Sequence, residues 1–585
     1  MSNNRIAVVE KEKCNPIFCG DYLCIKLCPI NRAGEECIHK SEDGKVVIEE
    51  VLCTGCKICS NRCPFEAIHI INLPSELENP VHQFGKNGFR LYQLPVPKLG
   101  SIVGIIGVNG IGKSTAIKIL GKVITPNFGK LESEVSIDDA ISFFKGTELQ
   151  SYFTKLYSNQ ISISYKPQHI ESIPKMFDGT VSEFLSKISS DFQEIVAVFE
   201  LDTLLNRKLS QLSGGELQRV IIAAAMLKNA ELRIVDEPTS YLDIKQRLKL
   251  ASTLKNFVDE NNTMLLVEHD LIVLDYLSDF VHIMYGKPRS FGVVSLLKST
   301  KEGINAFLRG FLREENVRFR REAIEFTKRA PEQNQKEEQQ IVEWDEFEID
   351  FDGFVLKANK GRIPKGKVIG VLGENGIGKT TFIKILAGEL KPTKGEINSE
   401  LKVSYKPQYL SHSSDELVSV FLSDAIAKYN MQLIKPLNLE ELFNRKLNEL
   451  SGGELQRVYI AKCLSQDADL YLLDEPSAYL DVEQRLAVSK VLRSFMEEKG
   501  KTAIVVDHDL LFIDYLSQML FVFGGIPSKQ GILKGLYDME EGMNLFLEEL
   551  GITFRRDQET KRPRANKIGS QQDKLQKAEK KYYYL

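Results

Sequence analysis

Gly107-Val-Asn109-Gly110-Ile-Gly112-Lys113-Ser114-Thr115 and Gly373-Glu-Asn375-Gly376-Ile-Gly378-Lys379-Thr380-Thr381 share the spacing G-x4-GK-[ST]. Each follows a short apolar run, Ser101–Ile106 or Val368–Leu372, and leads into a helix-forming one. In that strand-to-helix setting the glycines let backbone N–H groups close round phosphate oxygens at a helix N-terminus. Lys113 and Lys379 bring a point charge to the β- and γ-phosphates, and the Ser114 and Thr380 hydroxyls a ligand for Mg2+. The chemistry implied is ATP binding, at two places.

Hydrolysis needs a carboxylate for the metal and one for water. Asp236-Glu237 and Asp474-Glu475 stand at the ends of apolar runs, each before a proline. Asp236 and Asp474 suit the metal, and Glu237 and Glu475 suit polarisation of the attacking water. Another strand in each half ends near His269 or His508, where an imidazole can touch the γ-phosphate. LSGGELQR occurs identically at 212–219 and 450–457, the mark of a duplicated domain. Its Ser-Gly-Gly opens a helix and offers N–H groups to an anion. Each half already holds its phosphates with a loop, so the surplus is resolved head to tail. Ser213 and Gly215 would complete the site of Lys379, and Ser451 and Gly453 that of Lys113. ATP then bridges the halves, and hydrolysis releases them.

The elements that position these residues repeat unevenly. Ser213 to Ser451 and Asp236 to Asp474 are both 238 residues apart, His269 to His508 239, but Lys113 to Lys379 266. The first half therefore carries an insertion, expected at 137–160 as an amphipathic helical pair that either docks a partner or packs on its own domain.

Nine of ten cysteines lie between Cys14 and Cys63. Cys53-x2-Cys56-x2-Cys59-x3-Cys63-Pro matches the run that holds a [4Fe–4S] cubane with its fourth cysteine crossing to a second cluster. Cys14-x4-Cys19-x4-Cys24-x3-Cys28-Pro repeats the order with wider gaps. Two clusters would then be held by Cys14, Cys19, Cys24 with Cys63, and by Cys53, Cys56, Cys59 with Cys28. Structural zinc or a disulfide knot is the alternative, although zinc usually takes two separated C-x2-C pairs and nothing in the sequence signals secretion. Cys37 is left over as a spare thiol or a substitute ligand. Cys463 reads as core.

With 585 residues, about three or four domains are expected. A net charge of −4 advertises no general affinity for nucleic acid. No apolar run reaches the ~18 residues a membrane span needs, and MSNNRIAVVEKEK lacks a signal-peptide core, so a cytoplasmic monomer without membrane contact is expected. The expected order is a ferredoxin-like α+β iron–sulfur domain (1–75), an α/β P-loop ATPase domain (76–312), hinge and linker (313–340), a second ATPase domain (341–550) and a basic tail (551–585). Two basic segments, Asn316–Arg321 and Thr553–Arg564, follow matching G-x-N-x-F-L elements, and suggest hinges that contact either RNA or acidic protein surface.

Loop, glutamine, LSGGELQR, Asp-Glu-Pro and histidine, in this order and twice, resemble the ABC ATPases. With eight cysteines in front, the chain resembles subfamily E, the RNase L inhibitor family of ribosome-recycling factors, over nearly its whole length. The resemblance implies nucleotide contacts at Lys113, Ser114, Gln168, Asp236, Glu237 and His269 with Ser451 in trans, and at Lys379, Thr380, Gln408, Asp474, Glu475 and His508 with Ser213 in trans. Gln168 and Gln408 join Ser114 and Thr380 around Mg2+. Adenine stacking fits Phe84 or Phe89, and Phe351 in the second half. It further implies binding to the ribosome with a release factor or its rescue relative, splitting of the subunits on ATP-driven closure, and retention on the small subunit, among rRNA, ribosomal proteins and initiation factors. The cluster domain would be the lever and the inserted helices a ribosome contact. An ATP-gated electron carrier is the competing reading; a transporter subunit is disfavoured, since one chain completes both sites.

Overall fold

In a computed structural model, residues 5–9, 13–16, 18–41, 44–49, 52–72, 77, 79–85, 88–131, 135–324, 326, 339–351, 353–398, 401–410 and 414–583 are described, with backbone alone at 71. Two compact units emerge: Met1–Val96, Ile105–Gln160 and Phe280–Ile324 form one; Pro97–Gly104, Ile161–Asp279 and Glu325–Leu585 form the other.

The first unit begins with an antiparallel pair, Arg5–Val9 against Ile68–Asn72, running from Arg5↔Asn72 to Val9↔Ile68. Between them stand two five-residue helices, Leu23–Leu27 and Ile58–Arg62, each entered through a left-handed residue, Tyr22 (φ 58°) and Lys57 (φ 68°). They bury Cys24 and Cys59 within a core of cysteines, Ile38, Val46 and Ile68. Part of the expected linker belongs to this sheet. Val317–Arg318 pairs parallel with Ile68–Asn72 at Val317↔Asn72 and antiparallel with Phe311–Leu312. The polar run 331–338 lies outside the described residues.

The same unit holds the first phosphate loop and its helix, Lys113–Leu120, with a sheet of His82–Gln83, Arg90–Tyr92, Phe291–Val294 and Phe280–Lys287 in that order. Two helices, Ile137–Phe143 and Glu148–Tyr157, fill the insertion. Ser136 and Asp139 form a capping box at the first. Phe144 and Phe153 stack at 4.7 Å, and Tyr152 Oη donates to the Leu120 carbonyl at 2.5 Å. One face of the pair thus packs on its own domain, while Ile137 stays half exposed.

The second unit contains a parallel three-strand set and a mixed eight-stranded sheet. Ile163–Lys166, Leu232–Asp236 and Thr263–Val267 run side by side. The larger sheet follows the order Phe347–Phe351, Phe354–Ala358, Gln530–Asp538, Met519–Ile526, Val368–Leu372, Thr502–Val506, Leu470–Asp474 and Val403–Lys406. Val368–Leu372, Leu470–Asp474 and Thr502–Val506 are buried at every position, as near-continuous apolar strands covered on both faces must be. Their C-terminal ends carry the phosphate loop, Glu475 and His508, the usual ligand-binding edge of such sheets. No described helix is long and apolar enough to cross a membrane.

Candidate nucleotide sites and iron–sulfur centre

The second-half site is contained within one unit. Gly376 (φ 71°) and Gly378 (φ 95°) turn the loop into Lys379–Leu386. Lys379 Nζ folds back onto the carbonyls of Gly373 (2.9 Å) and Glu374 (2.7 Å), and burial pushes its ammonium down to about 8. Asp474 is fully buried at its strand end, and its carboxylate has the Thr380 side chain beside it. Burial pushes the Asp474 acid up to about 6. A buried carboxylate short of hydrogen-bond donors, facing a threonine hydroxyl, has the hard-oxygen chemistry of a Mg2+ site.

Glu475 gathers the rest. Gln408 Nε2 donates to its Oε1 at 2.7 Å, and His508 Nε2 lies 3.3 Å from the same atom. Burial alone would raise the Glu475 carboxyl, but His508, Lys379 and Lys406 outweigh it and hold it below its ordinary value. The backbone at Glu475 is left-handed (φ 46°), a strain found where a side chain must be aimed. The first half repeats this. Gln168 Nε2 lies 2.7 Å and His269 Nε2 3.3 Å from Glu237 Oε1, and Glu237 has φ 47°. In its own unit, Lys113 Nζ donates to Gly107 O (2.8 Å) and Val108 O (2.9 Å). Gln168 and Gln408, expected at Mg2+, thus address the glutamates here.

The signature serines cap their helices. Ser213 Oγ donates to Glu216 at 2.8 Å, and Ser451 Oγ to Glu454 at 2.7 Å. The loop after Asp-Glu-Pro carries the link between halves. Asn375 N donates to Asp243 Oδ2 at 3.1 Å, and Lys245 pairs with Glu374 at 2.9 Å. Asp243 of the first half therefore touches the phosphate loop of the second.

The aromatics separate into two roles. A Cβ on Gly112 would meet the Phe89 ring at 2.7 Å, and one on Gly378 the Phe354 ring at 3.0 Å. Phe89 and Phe354 thus wedge beneath the loops. Across their hairpins, Phe84 N donates to Phe89 O, and Phe351 pairs with Phe354. Phe84 and Phe351 are partly exposed, and the Phe84 ring meets His82 edge to face at 4.6 Å.

Sequence reasoning missed Lys166 and Lys406. Both are buried, and donate to the carbonyls of Asp236 and Glu237 (2.8 and 3.1 Å) and of Asp474 and Glu475 (2.8 and 3.3 Å). Burial pushes each down to about 8. It also missed Gln218 and Gln456. Gln218 Nε2 donates to Glu237 O at 2.9 Å and to Pro238 O at 2.8 Å, and Gln456 Nε2 to Glu475 O at 2.5 Å, fastening each signature helix to its carboxylate loop. The available signal was exact repetition of YKPQ and of the Gln in LSGGELQR.

At the N-terminal core, a cavity is lined by Cys14, Cys19, Cys24 and Cys63, one of the two quartets expected from the crossover pattern. All nine thiols there are free of disulfides. Backbone donors address the sulfurs: Ala7 N to Cys53 at 3.3 Å and Ala67 N to Cys63 at 3.4 Å. Burial pushes Cys24 up to about 11 and Cys59 up to about 12, so these neutral thiols become thiolates only when a cation compensates them. The donor set fits an iron–sulfur cluster. Cys37 is buried, and lies against Cys28 and Cys53.

The C-terminal basic segment contacts protein. Arg562 and Arg564 pair with Asp275 at 3.1 and 2.6 Å, and Arg556 with Asp514 at 2.8 Å. Arg562 is fully buried.

Family models match this layout: the ABC transporter ATPase model at 97–240 and 356–478, and the 4Fe-4S binding domain at 46–69. The chain is therefore an ATPase with two ABC domains behind a 4Fe–4S domain. It is 51% identical to an uncharacterized ABC transporter ATP-binding protein of Methanocaldococcus jannaschii, covering 99% of this chain and 98% of the relative. It is 41% identical to translation initiation factor RLI1 of Saccharomyces cerevisiae, over 100% of this chain and 98% of that one. A solved structure described as a model of ribosome-bound archaeal Pelota and ABCE1 matches with TM-score 0.82 and 50% identity, covering 99% of both chains. Another, archaeal ABCE1 with ribosomal stalk protein aP1, matches with TM-score 0.82 and 51% identity over 87% of this chain and 100% of that chain. The chain belongs to the ABCE1/RLI1 family, the RNase L inhibitor family.

Proposed function

We propose that this ATPase recycles ribosomes: ATP closes the two ABC halves, and closure drives the iron–sulfur domain against the ribosome until the subunits part. The carrying observation is the end-to-end likeness to an ABCE1 chain described as ribosome-bound with Pelota. The strand Val317–Arg318, shared between hinge and N-terminal sheet, supplies a material link by which motion at the hinge reaches that domain. In this reading Glu237 and Glu475 polarise water, His269 and His508 attend the γ-phosphate, and Ser114, Thr380, Gln168 and Gln408 surround Mg2+ with Asp236 and Asp474. Phe84 and Phe351 stack adenine. Two [4Fe–4S] clusters occupy the eight-cysteine set, over the domain bounds expected from sequence. A cluster supplies a rigid, multiply anchored core when bound. Partners are a release factor or a Pelota-like rescue factor, a stalk protein and the small subunit, in the cytoplasm.

Sedimentation tests this directly. With the protein, ATP and a Pelota-type factor, intact ribosomes should resolve into subunits, and the Glu237→Gln/Glu475→Gln variant should not turn over. Ribosomes that remain whole overturn the reading.

A further inference from the structure

Glu171 stands three residues beyond Gln168, outside the phosphate loops, the signature repeats and the Asp-Glu-Pro segments. Its Oε1 accepts a hydrogen bond from the Tyr241 hydroxyl. Tyr241 is held in the left-handed region (φ 67°), and its ring lies across the signature loop of its own half. A Cβ on Gly214 would meet Tyr241 Cγ at 3.1 Å, and one on Gly215 the Tyr241 carbonyl at 3.2 Å. Two residues on, Asp243 touches Asn375 of the second phosphate loop. Tyr479, the counterpart of Tyr241, has φ 61° and lies within electrostatic reach of Glu171. The position matching Glu171 in sequence is Ser411, since Gln168 and its counterpart Gln408 lie 240 residues apart. In sequence, that position carries serine in place of a carboxylate.

We infer that Glu171 is a positioning residue which, through Tyr241, anchors the first signature loop and the Asp243 contact, and thereby ties the glutamine segment of the first half to the ATP site built on Lys379. The inference rests on the assignment of Glu237 and Glu475 as the hydrolytic carboxylates.

Single-site enzymes separate the effects. Glu237→Gln leaves hydrolysis to the Lys379 site, and Glu475→Gln leaves it to the Lys113 site. Adding Tyr241→Phe or Glu171→Ala should lower kcat/KM for ATP about three- to tenfold in the Glu237→Gln background, the net effect of one ordinary hydrogen bond. In the Glu475→Gln background the change should stay within about twofold. Glu171→Gln keeps an acceptor and should restore most of the loss, which a general folding defect would not allow. Equal losses in both backgrounds, no loss in either, or Glu171→Gln as damaging as Glu171→Ala would overturn the inference. If the double variant Glu237→Gln/Glu475→Gln still hydrolyses ATP at the parental rate, it is instead the assignment of the carboxylates that fails.

Discussion

Asp474 shows how a single buried acid sets a condition on the site. Its strand end is closed to water, so ionisation is costly until a cation arrives, and the acid titrates near 6. Mg2+ binds the ionised form, so protons compete with it as pH falls through that value. Mg2+-dependent ATP affinity of the Glu237→Gln enzyme should therefore weaken towards tenfold per pH unit below about 6 and level off above about 7. Isothermal titration across that range checks it, and a flat profile would count against Asp474 as the metal carboxylate. Gly531 imposes a different constraint. A Cβ there would come within 2.0 Å of the Ile377 carbonyl in the phosphate loop. Gly531→Ala must displace that loop, and kcat/KM in the same single-site background should drop at least tenfold, about 1.4 kcal/mol of transition-state stabilisation. An unchanged value would show that the loop yields freely.

Elements bring together what such residues cannot reach alone. The C-terminal hairpin, Phe554–Arg556 with Pro563–Ala565, delivers Arg562 and Arg564 to Asp275 on helix Leu271–Leu277. Removing one partner of a buried ion pair leaves an uncompensated charge, typically at a cost of about 3–5 kcal/mol. Asp275→Ala should lower the denaturant midpoint accordingly, and replacing both arginines as well should recover part of the loss. Independent, additive losses would contradict the pairing. This hairpin also marks what sequence conveyed and what it did not. The phosphate loops, carboxylates and histidines were legible because each motif is local: its chemistry lies in adjacent letters. Whether basic residues 553–564 served RNA or protein was undecidable, because Asp275 lies almost three hundred residues away. Lys166 and Lys406 were hidden for another reason. A lysine beside a tyrosine in a short strand reads as solvent-facing, and only the finished sheet supplies the carbonyls that accept from it. Val317–Arg318 was hidden because two residues carry no periodicity.

Across the whole molecule, the head-to-tail reading makes a distinctive claim about pairs of variants. Lys113 and Ser451 would serve one nucleotide from opposite halves. Lys113→Ala and Ser451→Ala should each cripple that site, and the double variant should be little worse than the more damaged single one, since coupled groups are not additive. ATPase rates in the Glu475→Gln background measure this, and strictly additive losses would break the reading. At the other site, Asn375 of the second phosphate loop donates to Asp243 of the first half.

The N-terminal sheet has an implication for how the protein is made. Ile68–Asn72 obtains its second neighbour only from Val317–Arg318, which leaves the ribosome some 245 residues later. Until then the Asn72 end of that edge lacks this neighbour, and unpaired strand edges are open to association with other chains. The cysteine domain is thus first in sequence but late in completion. The pairing of Val317 with Asn72 therefore forms only after synthesis has passed through the first ATPase domain.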